Sequence, residues 1–272
     1  MEFSFLNEKY IQKLFKLFEK YGEQLYVVGG AVRNSIANKT IEDIDFTTTM
    51  HPEKMIQMFK ENGLRYDAPG INFGTVRTFY ENKKYEITTF RQDKYIISHK
   101  SKNISIQSKL KNNTNIKYVS RFPEVKFITD LNTDAKRRDF TMNAIYVDAN
   151  GNVTDPFNGI NDIKNGIVRF IGNPLNSIDQ DPLRILRYFR FCAENFYENF
   201  DEISFTVCIA NFDKTFTISK RKFINEYNKI MACHKRFIIL NKWKEYGILG
   251  QIEEFIKTAK EKIQEEDDKK QK

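Results

Sequence analysis

Apolar and charged positions recur at helical spacing over residues 6–20, which predicts an amphipathic helix at the start of the chain. An apolar run follows in Leu25-Tyr-Val-Val-Gly-Gly-Ala-Val-Arg33, where a strand breaks at two glycines and a helix begins. In Ile41-Glu-Asp-Ile-Asp45 the pattern alternates. As a strand this puts Asp43 and Asp45 on one side and Ile44 on the core side. Residues 73–76 and 85–91 alternate around the polar turn Glu81-Asn-Lys-Lys84 and predict a hairpin. Gly166 and Gly172 bracket a short apolar strand, and Pro174 permits a helix start. From Asn176 onward the period is helical, including residues 218–230 with Ser219 as N-cap, and residues 237–249. The pattern predicts a mixed α/β (α+β) region over 1–154, a connector over 155–175, an all-α region over 176–250 and a C-terminal helix with a charged tail over 251–272.

Two carboxylates on one strand face can hold a divalent metal, and hard oxygen ligands suit Mg²⁺, which takes its remaining ligands from water and substrate phosphates. The Gly29-Gly30 turn lets backbone N–H groups approach phosphate oxygens, and Arg33 can add a planar cationic clamp. Taken singly, a Gly-Gly is a tight turn and an Asp-x-Asp a solvated strand edge. Their spacing points to metal plus triphosphate.

Gly-Gly-x-Val-Arg followed at a short interval by Asp-x-Asp resembles the signature of the DNA polymerase β-like nucleotidyltransferases, specifically the class II tRNA nucleotidyltransferase and bacterial poly(A) polymerase family. Four further segments match that family in order. Phe73-Gly-Thr-Val76 and Tyr85-Glu-Ile-Thr-Thr-Phe-Arg91 resemble strands beside its metal site. Glu86 is then either a third carboxylate near the reacting 3′-hydroxyl or a strand-face Glu paired with a nearby Arg. Lys136-Arg-Arg-Asp-Phe-Thr-Met-Asn-Ala144 is close to the family's Arg-Arg-Asp-Phe-Thr-x-Asn-Ala motif. By resemblance Arg138 contacts the nucleotide, Asp139 reads the ribose, and Asn143 belongs to the same binding motif. Asp162 to Pro174 resembles the hinge between catalytic head and helical neck.

The fourth segment, Gln180-Asp-Pro-Leu-Arg-Ile-Leu-Arg-Tyr-Phe-Arg-Phe191, resembles Glu-Asp-x-x-Arg, whose Asp and Arg read the incoming base as a protein template. Asp181 and Arg184 are expected on one helix face, Arg187 one turn on and Arg190 further round. Cytosine and adenine each set an amine donor beside a ring-nitrogen acceptor, which a carboxylate and a guanidinium complement; uracil and guanine reverse that order. The alternative is an intrahelical Asp–Arg salt bridge.

Composition fits this picture. Forty per cent hydrophobic residues in 272 can fill a sizeable core, and a net charge of +8 suits an anionic partner such as RNA. Lys94, Lys100, Lys102, Lys109, Lys111, Lys117 and Arg121 crowd one polar stretch, either an RNA contact or a solvated loop. Cys192, Cys208 and Cys233 have no metal-ligand or disulfide spacing. With no signal-peptide pattern and no long apolar run, a cytoplasmic location is expected.

The resemblance implies a template-independent enzyme that adds or repairs the 3′-terminal CCA of tRNA from CTP and ATP with two Mg²⁺ ions, with no membrane partner. A poly(A) polymerase, a partial CC- or A-adding enzyme, and a non-catalytic RNA-binding protein on the same scaffold are the alternatives. Three departures stand out. Gln180 replaces the family Glu, Asn34 stands where an Asp usually follows the Arg, and a polar insert occupies about residues 95–118. Little sequence remains for the family's helical body and tail.

Overall fold

In the computed structural model, which describes residues 1–95, 97–98, 118–119, 123–195 and 200–270, the first amphipathic stripe becomes helix α1 (Lys9–Lys20). It starts later than position 6, because Glu8 is extended and Ser4–Asn7 form a separate 3-10 turn. The buried residues Ile11, Leu14, Phe15 and Phe18 keep the helical spacing. Strand β1 (Leu25–Val28), helix α2 (Gly30–Ile36), strand β2 (Asp45–Thr48) and helix α3 (Pro52–Glu61) follow. Strands β3 (Tyr66–Gly70), β4 (Thr75–Tyr80) and β5 (Lys83–Thr89) then form a meander. The β4–β5 turn is tighter than expected, since Lys83 and Lys84 already pair with Tyr80 and Phe79.

Two short ladders join β6 (Arg91–Lys94) with β9 (Glu124–Phe127), and β7 (Ile97–Ser98) with β8 (Tyr118–Val119). Lys100, Lys102, Lys109, Lys111, Lys117 and Arg121, and most of the polar insert, lie outside the described residues. Helix α4 (Leu131–Lys136) leads to β10 (Tyr146–Val147) and β11 (Val153–Thr154). One seven-stranded sheet results, in the order β11-β10-β1-β2-β5-β4-β3. Among the described strands only β2 and β5 pair in parallel, in a register that sets Asp45 beside Glu86. Val27, Phe46, Val76 and Ile87 pack with α1 and α3 to form its core.

The connector holds more structure than the sequence suggests. Helix α5 (Gly159–Lys164) lies in it, and the apolar segment after Gly166 makes an isolated bridge from Phe170 to Phe140 in place of a strand. The all-α region comprises α6 (Pro174–Gln180), α7 (Leu183–Asn195), α8 (Glu202–Ala210), α9 (Lys220–Ala232), α10 (Arg236–Glu245) and α11 (Leu249–Lys270). Ser219 caps α9 by accepting from the Lys222 amide. The charged tail is helical as far as Lys270, and Asp267 pairs with Arg221. Phe140, Met142 and Phe170 pack into the helical core with Tyr188, Phe189 and Trp243, so the two halves meet through buried aromatic surface. Among the described residues no helix is long and apolar enough to cross a membrane.

Candidate active site

A cleft of about 600 Å³ opens where the sheet meets α7. Gly29, Gly30, Arg33, Asp43, Asp45, Arg138, Asp139, Asn143, Asp181, Arg184, Arg187 and Arg190 all line it. Glu86 does not.

At the sheet end, β1 stops at Gly29, whose φ of +76° lies in the left-handed region that a side chain resists, and α2 departs at once. Arg33 is held by neutral groups. Its Nε and Nη2 donate to Asn34 Oδ1 (3.1 and 2.9 Å) and its Nη1 donates to Asn143 Oδ1 (2.7 Å). The Asn in place of the family Asp thus still fixes this arginine, through an amide oxygen. Burial lowers the Arg33 pKa to about 10, with Glu194 opposing the shift and Arg190 and Arg187 adding to it, which leaves the group charged at neutral pH.

Asp43 and Asp45 do not share a strand, because β2 begins only at Asp45 and Asp43 lies in the segment before it. Ile44 is buried as the alternation requires, and both carboxylates reach the cleft. Neither has a hydrogen-bond or ion-pair partner among the described residues. Asp45 keeps open surface, yet it sits in a concave wall that strips much of its water. Desolvation first, then the charges of Glu86 and Asp43, push its pKa up to about 6. Glu86 is ion-paired to Lys84 (2.9 Å) on its own strand, rather than to an arginine. The adjacent Arg77 is taken by Asp67 (2.8 Å).

This donor set fits a hard divalent cation. Two unpartnered carboxylates repel each other in a partly desolvated site, and a cation would relieve that repulsion. No three His, Cys, Asp or Glu side chains converge on a metal site among the described residues. Two carboxylates leave most of an octahedral shell to water and substrate oxygens.

The opposite wall is crowded with paired groups. Burial opposes the Asp139 charge, but Arg187 and Asn143 overcome it and hold its pKa down to about 2. Arg187 donates to Asp139 Oδ2 from Nε (2.7 Å), while Asn143 Nδ2 and the Phe140 amide donate to Oδ1 (both 2.9 Å). Arg187, expected as an extension of the base-reading stripe, is therefore an ion-pair link between the two halves. Arg190 is likewise engaged, by Glu226 and by Glu194 (2.6 Å). The guanidinium groups of Arg33, Arg187 and Arg190 surround the Phe191 ring at 4.7, 5.4 and 4.1 Å.

Asp181 is not on the helix. Pro182 keeps the preceding residue extended, at φ −149° and ψ 100°, and Asp181 Oδ1 accepts from the Leu183 amide (3.1 Å) at the start of α7. No ion pair joins it to Arg184 among the described residues. Arg184 donates instead to the Ser177 hydroxyl (2.6 Å), to Gln180 Oε1 (3.3 Å) and to the Arg137 carbonyl (2.9 Å). Gln180 thus touches the arginine with an uncharged oxygen.

Asn34, Glu42, Arg137, Phe191 and Lys229 also line the cleft and were not among the expected site residues. Arg137 had a signal, since it adjoins Arg138 in the matched motif. Lys229 had none, because its place depends on how α9 packs against α7.

Residues 25–169 match the family described as the poly A polymerase head domain. A CCA-adding enzyme of Streptococcus gordonii is 34% identical over 214 residues, 78% of this chain and 47% of its own length. Human CCA tRNA nucleotidyltransferase 1, mitochondrial, is 37% identical over 191 residues, 70% of this chain and 39% of its own. The crystal structure of the Bacillus stearothermophilus CCA-adding enzyme in complex with CTP matches with a TM-score of 0.71 at 28% identity, covering 88% of this chain and 52% of that one. The chain spans less than half the length of these curated relatives.

Proposed function

The chain belongs to the poly(A) polymerase head-domain family, and on that premise we propose that it is a cytosolic, template-independent tRNA nucleotidyltransferase that adds or repairs the 3′-terminal CCA from CTP and ATP. Its fold is the polymerase β-like nucleotidyltransferase head followed by an all-α neck. The observation that carries the proposal is one cleft lined by Asp43 and Asp45 on the head, which have no partner among the described residues, and by Asp181 and Arg184 at the start of α7.

In this reading the tRNA 3′-hydroxyl attacks the α-phosphorus of the bound nucleotide. The new phosphodiester bond forms as the α–β phosphoanhydride breaks and pyrophosphate leaves. Asp43 and Asp45 would hold two Mg²⁺ ions, which supply acidification of the hydroxyl and charge neutralisation of the leaving group. Gly30 brings its backbone close to the phosphates, and Arg33 and Arg138 supply positive charge to them. Arg184, braced by Ser177, Gln180 and the Arg137 carbonyl, offers donors to N3 of cytosine or N1 of adenine. Asp181 accepts from the exocyclic amine. Asp139 and Arg187 set the ribose side of the pocket, and Arg190 supports Phe191 beneath the arginines. Glu86 acts through its charge on Asp45.

Incubating tRNA that ends at the discriminator base, at C, or at CC with each nucleoside triphosphate, then sequencing the products, tests the proposal. Ordered addition of C, C and A with a stop is expected. Only CC or only A marks a partial enzyme, and unbounded A a poly(A) polymerase. RNA binding without incorporation would make the chain a non-catalytic scaffold.

A further inference from the structure

Arg138 and Arg184 approach the cleft from the head and from α7, and one side chain that does not line it bonds the first directly and reaches the second through Arg137. Asp134 on α4 is fully buried. Its Oδ1 accepts from Arg137 Nε (2.8 Å) and, more weakly, from the Arg91 amide (3.3 Å). Its Oδ2 accepts from the Tyr146 hydroxyl (2.9 Å) and from Arg138 Nη2 (3.2 Å). The Tyr146 hydroxyl in turn accepts from Arg138 Nε (3.0 Å), and the Arg138 guanidinium lies 5.2 Å from the Tyr146 ring centroid. Two sides of that guanidinium are therefore fixed by one carboxylate and one phenol.

The second branch runs through Arg137. With its side chain anchored on Asp134, its carbonyl accepts from Arg184 Nη2 (2.9 Å), across the junction between head and neck. Charge-assisted bonds in a desolvated setting are strong and directional, so they can set guanidinium planes to the accuracy that base and phosphate recognition requires. Burial alone would raise the Asp134 pKa, but Arg138 and Arg137 outweigh it and keep the group ionised.

We infer that Asp134 is a positioning residue that orients two arginines at once, Arg138 toward the triphosphate and Arg184 toward the base. This rests on the nucleotide-binding reading of the cleft. The two branches are separable. Tyr146→Phe removes only the hydroxyl that bridges Arg138 and leaves the branch through Arg137 to Arg184 intact. Asp134→Asn loosens both, because the bonds to Arg137 and Arg138 both lose the carboxylate charge and the new N–H must face donors on one side.

The test is calorimetric titration of wild type and both variants with CTP, ATP, UTP and GTP in Mg²⁺, with thermal unfolding as the check on folding. For Tyr146→Phe, Kd for CTP and ATP should rise about fivefold, with the preference over UTP and GTP unchanged. For Asp134→Asn, Kd should rise about tenfold or more and the preference should fall about tenfold, or roughly 1.4 kcal/mol of discrimination. A folded Asp134→Asn protein that keeps both affinity and preference overturns the inference. If that variant does not fold, Tyr146→Phe decides the Arg138 branch: an unchanged Kd overturns the inference, and a raised Kd with unchanged preference supports that branch. Wild type that binds all four nucleotides equally would instead sink the base-reading function. In that case the Kd values of the variants still report on Arg138.

Discussion

Asp45 and Asp139 line the same cleft, yet their surroundings take them in opposite directions. Asp45 faces Glu86 and Asp43, so desolvation and like charge add and its pKa rises to about 6. Asp139 is more deeply buried, but Arg187 and Asn143 reverse the effect and take it to about 2. The carboxylate pair Asp43 and Asp45 is thus left without a neutralising partner among the described residues, whereas Asp139 is already balanced by Arg187. A site built this way is completed at one end by a cation arriving with substrate, while the other end is organised beforehand.

The comparison breaks most visibly at Asp45. Asp45→Asn should lower nucleotide incorporation by about 10³-fold or more, since a neutral amide is a poor Mg²⁺ ligand and metal stabilisation of the transition state is worth several kcal/mol. Thermal stability should hold or rise, because a repulsion is removed. Near-wild-type turnover in saturating Mg²⁺ would take Asp45 out of the metal site.

Asp139→Asn should, unlike Asp45→Asn, lower stability as well as binding on the ribose side of the pocket. It leaves the Arg187 guanidinium, partly exposed, without its carboxylate, at a cost of about 1–3 kcal/mol. Thermal denaturation should report a drop of several degrees. An unchanged midpoint would mean that this ion pair does not join the two halves.

Acidity separates the same two groups. Incorporation at limiting Mg²⁺ should fall roughly tenfold from pH 7 to pH 5 as Asp45 protonates, and excess Mg²⁺ should move the midpoint lower. For stability the signs differ. Asp45 is raised above its unfolded value of about 3.9, so its contribution is present below that value and lost as pH rises through about 6. The Asp139 contribution is present above about 3.9 and lost as pH falls through about 2. A pH–rate profile flat from 5 to 7 would contradict the assignment of Asp45.

The smallest effect lies outside the cleft and serves as the control. Ser219→Ala removes the α9 cap and should cost about 1 kcal/mol in thermal unfolding, with base preference unchanged. A change in base preference would mean that α9 reaches the site more directly than through Glu226 and Lys229.

Much of this was legible in the residues. The Gly29-Gly30 break, the hairpin and the Ser219 cap follow from local patterns, because period and turn chemistry act within a few residues, whereas most of the cleft residues were named by the family resemblance and Glu86 among them falls outside the cleft. Other features were decided by the tertiary fold. Pro182 placed Asp181 off the helix, but the partners of Arg184 came from Ser177 on α6 and from the Arg137 backbone. Arg187 and Arg190 share the α7 motif with Arg184, yet Asp139 and Glu226 engage them from the head and from α9. Sequence specified which charged groups the chain carries and on which elements. Which carboxylate meets a cation and which meets another carboxylate was settled only when distant segments packed, because Coulomb interactions and desolvation depend on distance in space and not along the chain.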